Sequence, residues 1–202
     1  MKNLPIYDVL DDIKTTLNTE STLILEAPPG AGKSTVVPIS LLNESWLGNK
    51  VIIMLEPRRV AARMVAVQMA KLLGEEVGQS VGYQVKMESC YSKQTKLLVV
   101  TEAILVRKLQ SDQALEDVAM VIFDEFHERS IHTDLSLALC LQVQELLRPD
   151  LKLLIMSATL DSLELTNLLG KIPVINSKGK IYDVENIYLE TNIKQPDSKS
   201  IN

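Results

Sequence analysis

The sequence predicts an α/β domain built on a doubly wound, mainly parallel sheet with helices on both faces. Three observations carry this prediction. Short runs of Leu, Ile and Val recur along the chain and are apolar on both alternations, as strands covered on both faces are. Stretches of helical periodicity separate these runs in strict turn, which is the pattern of right-handed βαβ units. Finally, 202 residues with 46% hydrophobic and 23% charged composition suffice for one good core.

In chain order, the first strand is expected at 23–26 and is followed by a helix at 34–42. A second strand at 51–55 precedes a helix at 60–73. Residues 81–86 read as a short strand and the polar stretch 88–94 as a loop after it. Strand 97–100 leads to helix 103–110, strand 118–123 to helix 135–147, and strand 151–157 to helix 162–169. A turn at 177–180 introduces a last strand at 182–189. The polar, Pro-containing segment 191–202 is expected to be loose and reads as the start of a linker, which places the domain at 1–190.

Composition excludes several classes. No apolar run approaches the roughly 20 residues that span a bilayer, and the N-terminus lacks an apolar signal core, so no membrane association is expected. Two cysteines, Cys90 and Cys140, make neither a disulfide framework nor a metal cluster, and a cytoplasmic location follows as the expectation. With 21 basic against 26 acidic residues the net charge is −5, which excludes a strongly basic nucleic-acid binder but leaves room for a local basic patch.

The first strand runs into APPGAGKST at 27–35. A glycine-rich turn from strand to helix lets backbone N–H groups close around phosphate oxygens. Pro29, Gly30, Ala31, Gly32, Lys33, Ser34 and Thr35 are the expected nucleotide-binding residues. Lys33 would neutralise the phosphates and the Ser34 hydroxyl would hold Mg²⁺. A chance Gly/Pro turn is the bland alternative, and the flanking strand and helix argue against it. Strand 118–123 ends in Asp124 and Glu125, at the carboxyl edge where open α/β sheets place ligands. Asp124 would support the same Mg²⁺ and Glu125 would polarise the attacking water. Lys33, Asp124 and Glu125 together point to a nucleoside-triphosphate hydrolase.

His127 and His132 lie five apart, not the four a zinc-binding His-Glu-x-x-His helix requires. Ser157 lacks the flanking glycines of a nucleophile elbow. Ser157-Ala158-Thr159, taken alone, is a polar strand cap.

Taken in order, the blocks resemble the DEAH-box branch of superfamily 2 helicases. They are APPGAGKS, EPRRVAAR at 56–63, TEAIL at 101–105, DEFH at 124–127 and SAT at 157–159. The run DEFHERS and the later LKLLIMSATLD are similar to the bacterial HrpB-type helicases. The resemblance implies the first of two RecA-like P-loop domains of an ATP-dependent RNA helicase, with ATP and Mg²⁺ as cofactors. It implies nucleic-acid contacts at Arg58, Arg59 and Thr101, and a coupling role for His127, Ser157 and Thr159. Single-stranded RNA, or DNA, is the implied partner, together with a second RecA-like domain in cis; a monomer is expected. Three departures stand out. Phe126 replaces the Ala of DEAH. The helix position expected to stack on adenine holds Gln68, with Arg63 on the same helix. The second-domain motifs that carry the arginine fingers are absent, so the chain alone is expected to hydrolyse ATP very slowly. A DNA-directed translocase, a stand-alone nucleotide switch or kinase, and a non-catalytic scaffold are the alternative readings.

Overall fold

The computed structural model describes residues 4–158 and 170–178. Within them, eight strands form one sheet: β1 (Thr22–Glu26), β2 (Val51–Leu55), β3 (Val81–Val85), β4 (Glu88–Cys90), β5 (Leu97–Val100), β6 (Val118–Phe123), β7 (Lys152–Ser157) and β8 (Val174–Asn176). Their spatial order is β4-β3-β5-β2-β6-β7-β1-β8. Every neighbouring pair is parallel except β3 with β4. The helices are α1 (Leu10–Thr19), α2 (Lys33–Ser40), α3 (Arg59–Leu73), α4 (Glu102–Ser111) and α5 (Ile131–Leu146).

The doubly apolar strands have the consequence expected of them, which is a core on each face. Leu23, Leu25, Ile52, Met54, Leu97, Val99, Met120, Ile122, Leu154 and Met156 face one cluster, which takes in residues of α1, α2 and α3. Ile24, Ile53, Leu55, Val100, Val121, Phe123, Leu153 and Ile155 face the other, with Leu105 and Leu109 of α4 and Leu137, Cys140 and Val143 of α5. The alternation along each strand thus splits its side chains between two helix layers.

The structure adds elements that the sequence pattern did not mark. A 3₁₀ turn at Pro5–Val9 and helix α1 bury Ile6, Ile13 and Leu17 completely. Residues 88–94, expected as a loop, instead contribute β4, which folds back antiparallel on β3 across Lys86 and Met87. Three mostly exposed residues give too little pattern to be read as a strand. Helix α5 starts at Ile131 rather than 135, because the Ser130 hydroxyl accepts the Thr133 N–H at 3.0 Å and caps it. Strand β8 adds parallel to β1 over three residues. The expected helix at 162–169, the strand at 182–189 and the tail at 191–202 lie outside the described residues. Among the described residues no helix is long and apolar enough to cross a membrane.

Candidate nucleotide-binding site

The phosphate loop leaves β1 at the carboxyl edge of the sheet and re-enters as α2. Gly30 and Gly32 take φ values of +76° and +98°, which β-carbon-bearing residues rarely adopt, so both glycines are required by the backbone path. Gly32 is also closely packed: a β-carbon there would lie 2.9 Å from Leu4 Cδ1 and 3.1 Å from Ile6 Cγ2. A β-carbon on Gly30 would meet nothing within 4 Å, so the space over the loop is open. The N-terminal segment is stitched to the loop by the Ile6 N–H donating to the Ala31 carbonyl at 3.3 Å. Ala31 is buried, Pro29 and Gly30 are exposed, and Ser34 and Thr35 are half-buried. The N–H groups of Lys33 and Ser34, in the first turn of α2, have no carbonyl to reach within their own helix.

Lys33 is 4% exposed and its ammonium donates to Glu125 Oε1 at 2.8 Å. The two residues the sequence selects from opposite halves of the domain therefore meet directly. Asp124 is equally buried, and its Oδ1 accepts the Glu125 N–H at 2.9 Å. Its Oδ2 is buried with no hydrogen-bond partner. Burial raises the Asp124 pKa above the usual carboxylate range, with the nearby Ser34 hydroxyl opposing that rise. Ser34, Lys33, Asp124 and Glu125 thus share one end of the sheet, as the motif spacing requires.

Two acidic residues at the same edge were not singled out by sequence. Glu56 follows β2, next to Asp124, whose N–H donates to the Leu55 carbonyl at 3.1 Å. It is 5% exposed, and desolvation followed by the negative charge of Asp124 pushes its pKa up to about 8. Glu26 ends β1 and is as deeply buried, with neither carboxylate oxygen hydrogen-bonded. The available signal was positional: both are acids that terminate an apolar strand beside the phosphate loop or the acidic strand.

His127 connects the acidic strand to the segment after β7. Its Nδ1 accepts the Ala158 N–H at 3.3 Å, while its Nε2 lies 3.4 Å from Glu125 Oε2. Ser157 is buried beside them and its carbonyl accepts the Ala27 N–H at 3.0 Å. Thr159 lies outside the described residues. Phe126 points away from this site into the core, stacked edge-on against Phe123 at 6.3 Å with the Arg129 guanidinium 5.4 Å from its ring. The residue that departs from the DEAH pattern is therefore a core residue. Among the described residues no three His, Cys, Asp or Glu side chains gather into a metal-holding cluster.

The remaining sequence candidates sit to one side. Arg58 is the N-cap residue of α3, and Arg59 starts that helix and donates to the Lys86 carbonyl at 2.8 Å. Thr101 is the N-cap residue of α4, with its side chain largely buried. Arg63 pairs with Glu88 of β4 at 3.6 Å. It lies five residues from Gln68, roughly 140° around the helix, so the two do not share a face.

The DEAD/DEAH box helicase family matches residues 11–168. The chain is 50% identical over 189 residues to the ATP-dependent RNA helicase HrpB of Escherichia coli K12, covering 94% of this chain and 23% of that protein. It is 36% identical over 204 residues to the mouse ATP-dependent RNA helicase DHX29, covering 96% of this chain and 15% of that one. Crystal structures of the E. coli DEAH/RHA helicase HrpB and of the E. coli DExH-box NTPase HrpB superpose with TM-scores of 0.86 each. Their identities are 50% and 48%; the matches cover 91% and 98% of this chain and 23% and 24% of those chains. The chain spans about a quarter or less of the length of these relatives. Its phosphate loop, acidic strand and sheet order, with this likeness over most of its length, place it in the DEAD/DEAH box helicase family.

Proposed function

We propose that this chain is the ATP-binding lobe of an ATP-dependent RNA helicase, coupling MgATP hydrolysis to movement on single-stranded RNA. The observation that carries the reading is the meeting of Lys33 with Glu125 beside Asp124 and Ser34, under the open face of the phosphate loop. Backbone N–H groups of the loop and α2 receive the phosphates, and Lys33 neutralises their charge. Ser34 Oγ and Asp124 are the donors for Mg²⁺, and the buried, unpartnered Asp124 Oδ2 fits that task. Bound there, the ion would neutralise charge on the phosphate oxygens. Glu125 accepts the proton of the attacking water, and His127 holds that carboxylate against the Ala158 amide of the third motif.

In this reading a second RecA-like lobe completes the site with arginine, worth about 10³–10⁵ in rate in other nucleotide hydrolases. Arg58, Arg59 and Thr101 form the nucleic-acid side, and the protein works in the cytoplasm as a monomer. The test is ATP turnover by the two-lobed protein with and without single-stranded RNA, beside Glu125→Gln. RNA-stimulated turnover that falls about 10²–10⁴-fold in the variant is expected. Turnover indifferent to RNA and DNA would reduce the protein to a nucleotide switch, and stimulation by DNA alone would assign a DNA-directed translocase.

A further inference from the structure

Arg58 is the first residue of the basic pair at the start of α3, yet its charge is already engaged. Its Nη2 donates to Glu128 Oε1 at 2.7 Å, although the Arg58 side chain is 71% exposed. An arginine at a helix N-terminus is opposed by the helix dipole, and α3 has no acid in its own first turn to offset it. Glu128 supplies that negative charge from another element. Its carboxylate is thus the counter-charge that Arg58 holds in this structure.

Glu128 is also built into the acidic strand's turn. Its N–H donates to the Glu125 carbonyl at 2.9 Å, closing the short 3₁₀ turn Phe126–Glu128. That turn is bracketed by two non-glycine residues at positive φ, Glu125 at +49° and Arg129 at +40°. Arg129 is anchored on its far side by two bonds to Asp134 at 3.0 Å. Arg58–Glu128 is the tether on the near side.

We infer that Glu128 is an internal competitor for Arg58: it stands in for nucleic-acid phosphate in the free protein and is displaced when the strand binds. This rests on the RNA-dependent reading of the protein. The exchange is feasible because an exposed ion pair is weak, corresponding to a factor of up to about five in an equilibrium constant. Displacement also unfastens the turn that presents Glu125, so occupancy of the nucleic-acid side is felt by the water-orienting carboxylate through three residues of backbone.

The test measures ATP turnover by the two-lobed protein against single-stranded RNA concentration for the parent, Glu128→Gln, Arg58→Ala and the double variant. The amide keeps the shape of Glu128 and removes the charge that holds Arg58. The half-stimulating RNA concentration is expected to fall about twofold to fivefold in Glu128→Gln. In the Arg58→Ala background the same change is expected to have no effect, since the competitor has nothing to compete for. An unchanged or raised half-stimulating concentration in Glu128→Gln overturns the inference, as does an equal shift with and without Arg58. Urea denaturation of Glu128→Gln separates this from a stabilising role, which would move the unfolding midpoint and leave RNA dependence alone. A parent protein that shows no response to RNA refutes the functional reading itself, and is distinguishable from a parent that responds while Glu128→Gln matches it.

Discussion

Replacing Gly32 by Ala is the sharpest probe of the phosphate loop, because a companion substitution isolates its two components. Both Gly30 and Gly32 adopt positive φ, so Ala at either costs about 1–2 kcal/mol in backbone strain. At Gly30 the added methyl meets open space, and strain is the whole effect. At Gly32 it meets Leu4 Cδ1, Ile6 Cγ2 and Val36 Cγ2 at 2.9, 3.1 and 3.3 Å, and Ile6 is fully buried. Overpacking of this kind adds about 1–3 kcal/mol. The expected losses are therefore about 1–2 kcal/mol for Gly30→Ala and about 2–4 kcal/mol for Gly32→Ala. Urea denaturation at equilibrium, with the slope checked for constancy, reads both. Equal losses for the two variants would refute the claim that the N-terminal segment packs tightly against the loop.

Three further outcomes follow from buried groups. Phe126→Ala, which restores the DEAH pattern, is expected to lower stability by about 3–5 kcal/mol, since it empties a core site against Phe123; a change under about 1 kcal/mol in urea would contradict the core assignment. Glu56, held protonated to about pH 8 in the fold against an ordinary value of 4.5, binds more protons folded than unfolded between those limits. Its contribution is fully present at low pH and is lost as pH rises through 8, so in metal-free buffer Glu56→Gln should gain on the parent steadily from pH 5 to 8. A pH-independent gap between the two would show that Glu56 is not desolvated. Cys140, fully buried with its thiol pushed up to about 12, should resist alkylation at pH 8 until the protein is denatured, as mass spectrometry of the labelled protein would register.

The sheet was legible because its strands are buried on both faces and their sequences are apolar on both alternations. What escaped the reading lacked that signal. Strand β4 is three residues long and half in solvent, and β8 is equally short, so neither offers a period to detect. Helix α1 is ten residues long and buries only Ile13 and Leu17, so its apolar face is too short to stand out beside the strand–helix alternation that follows. That Lys33, Ser34, Asp124 and Glu125 meet at one end of the sheet was legible because the glycine-rich loop after β1 and the acids after β6 both lie at strand carboxyl ends. Glu56 and Glu26 were not, because an acid at the end of one strand acquires meaning only when the sheet order sets it beside the loop or beside Asp124. The Arg58–Glu128 pair, 70 residues apart in sequence, is likewise a product of the β2–β6 adjacency.

The Lys33–Glu125 contact also sets the ionic balance of the cleft. One ammonium group there faces Glu125 and, behind it, Asp124, so the cleft is not a bare cation waiting for any passing anion. In the proposed reading, sulfate or free phosphate would find the lysine's charge already engaged, and an uncomplexed polyphosphate would meet the carboxylates beside it. A nucleotide that arrives with its own divalent ion brings positive charge to the carboxylates and negative charge to the lysine at once. In the proposed reading, selectivity for a metal-complexed nucleotide would thus begin with long-range attraction and repulsion at the mouth of the cleft, before any donor atom had touched the ion.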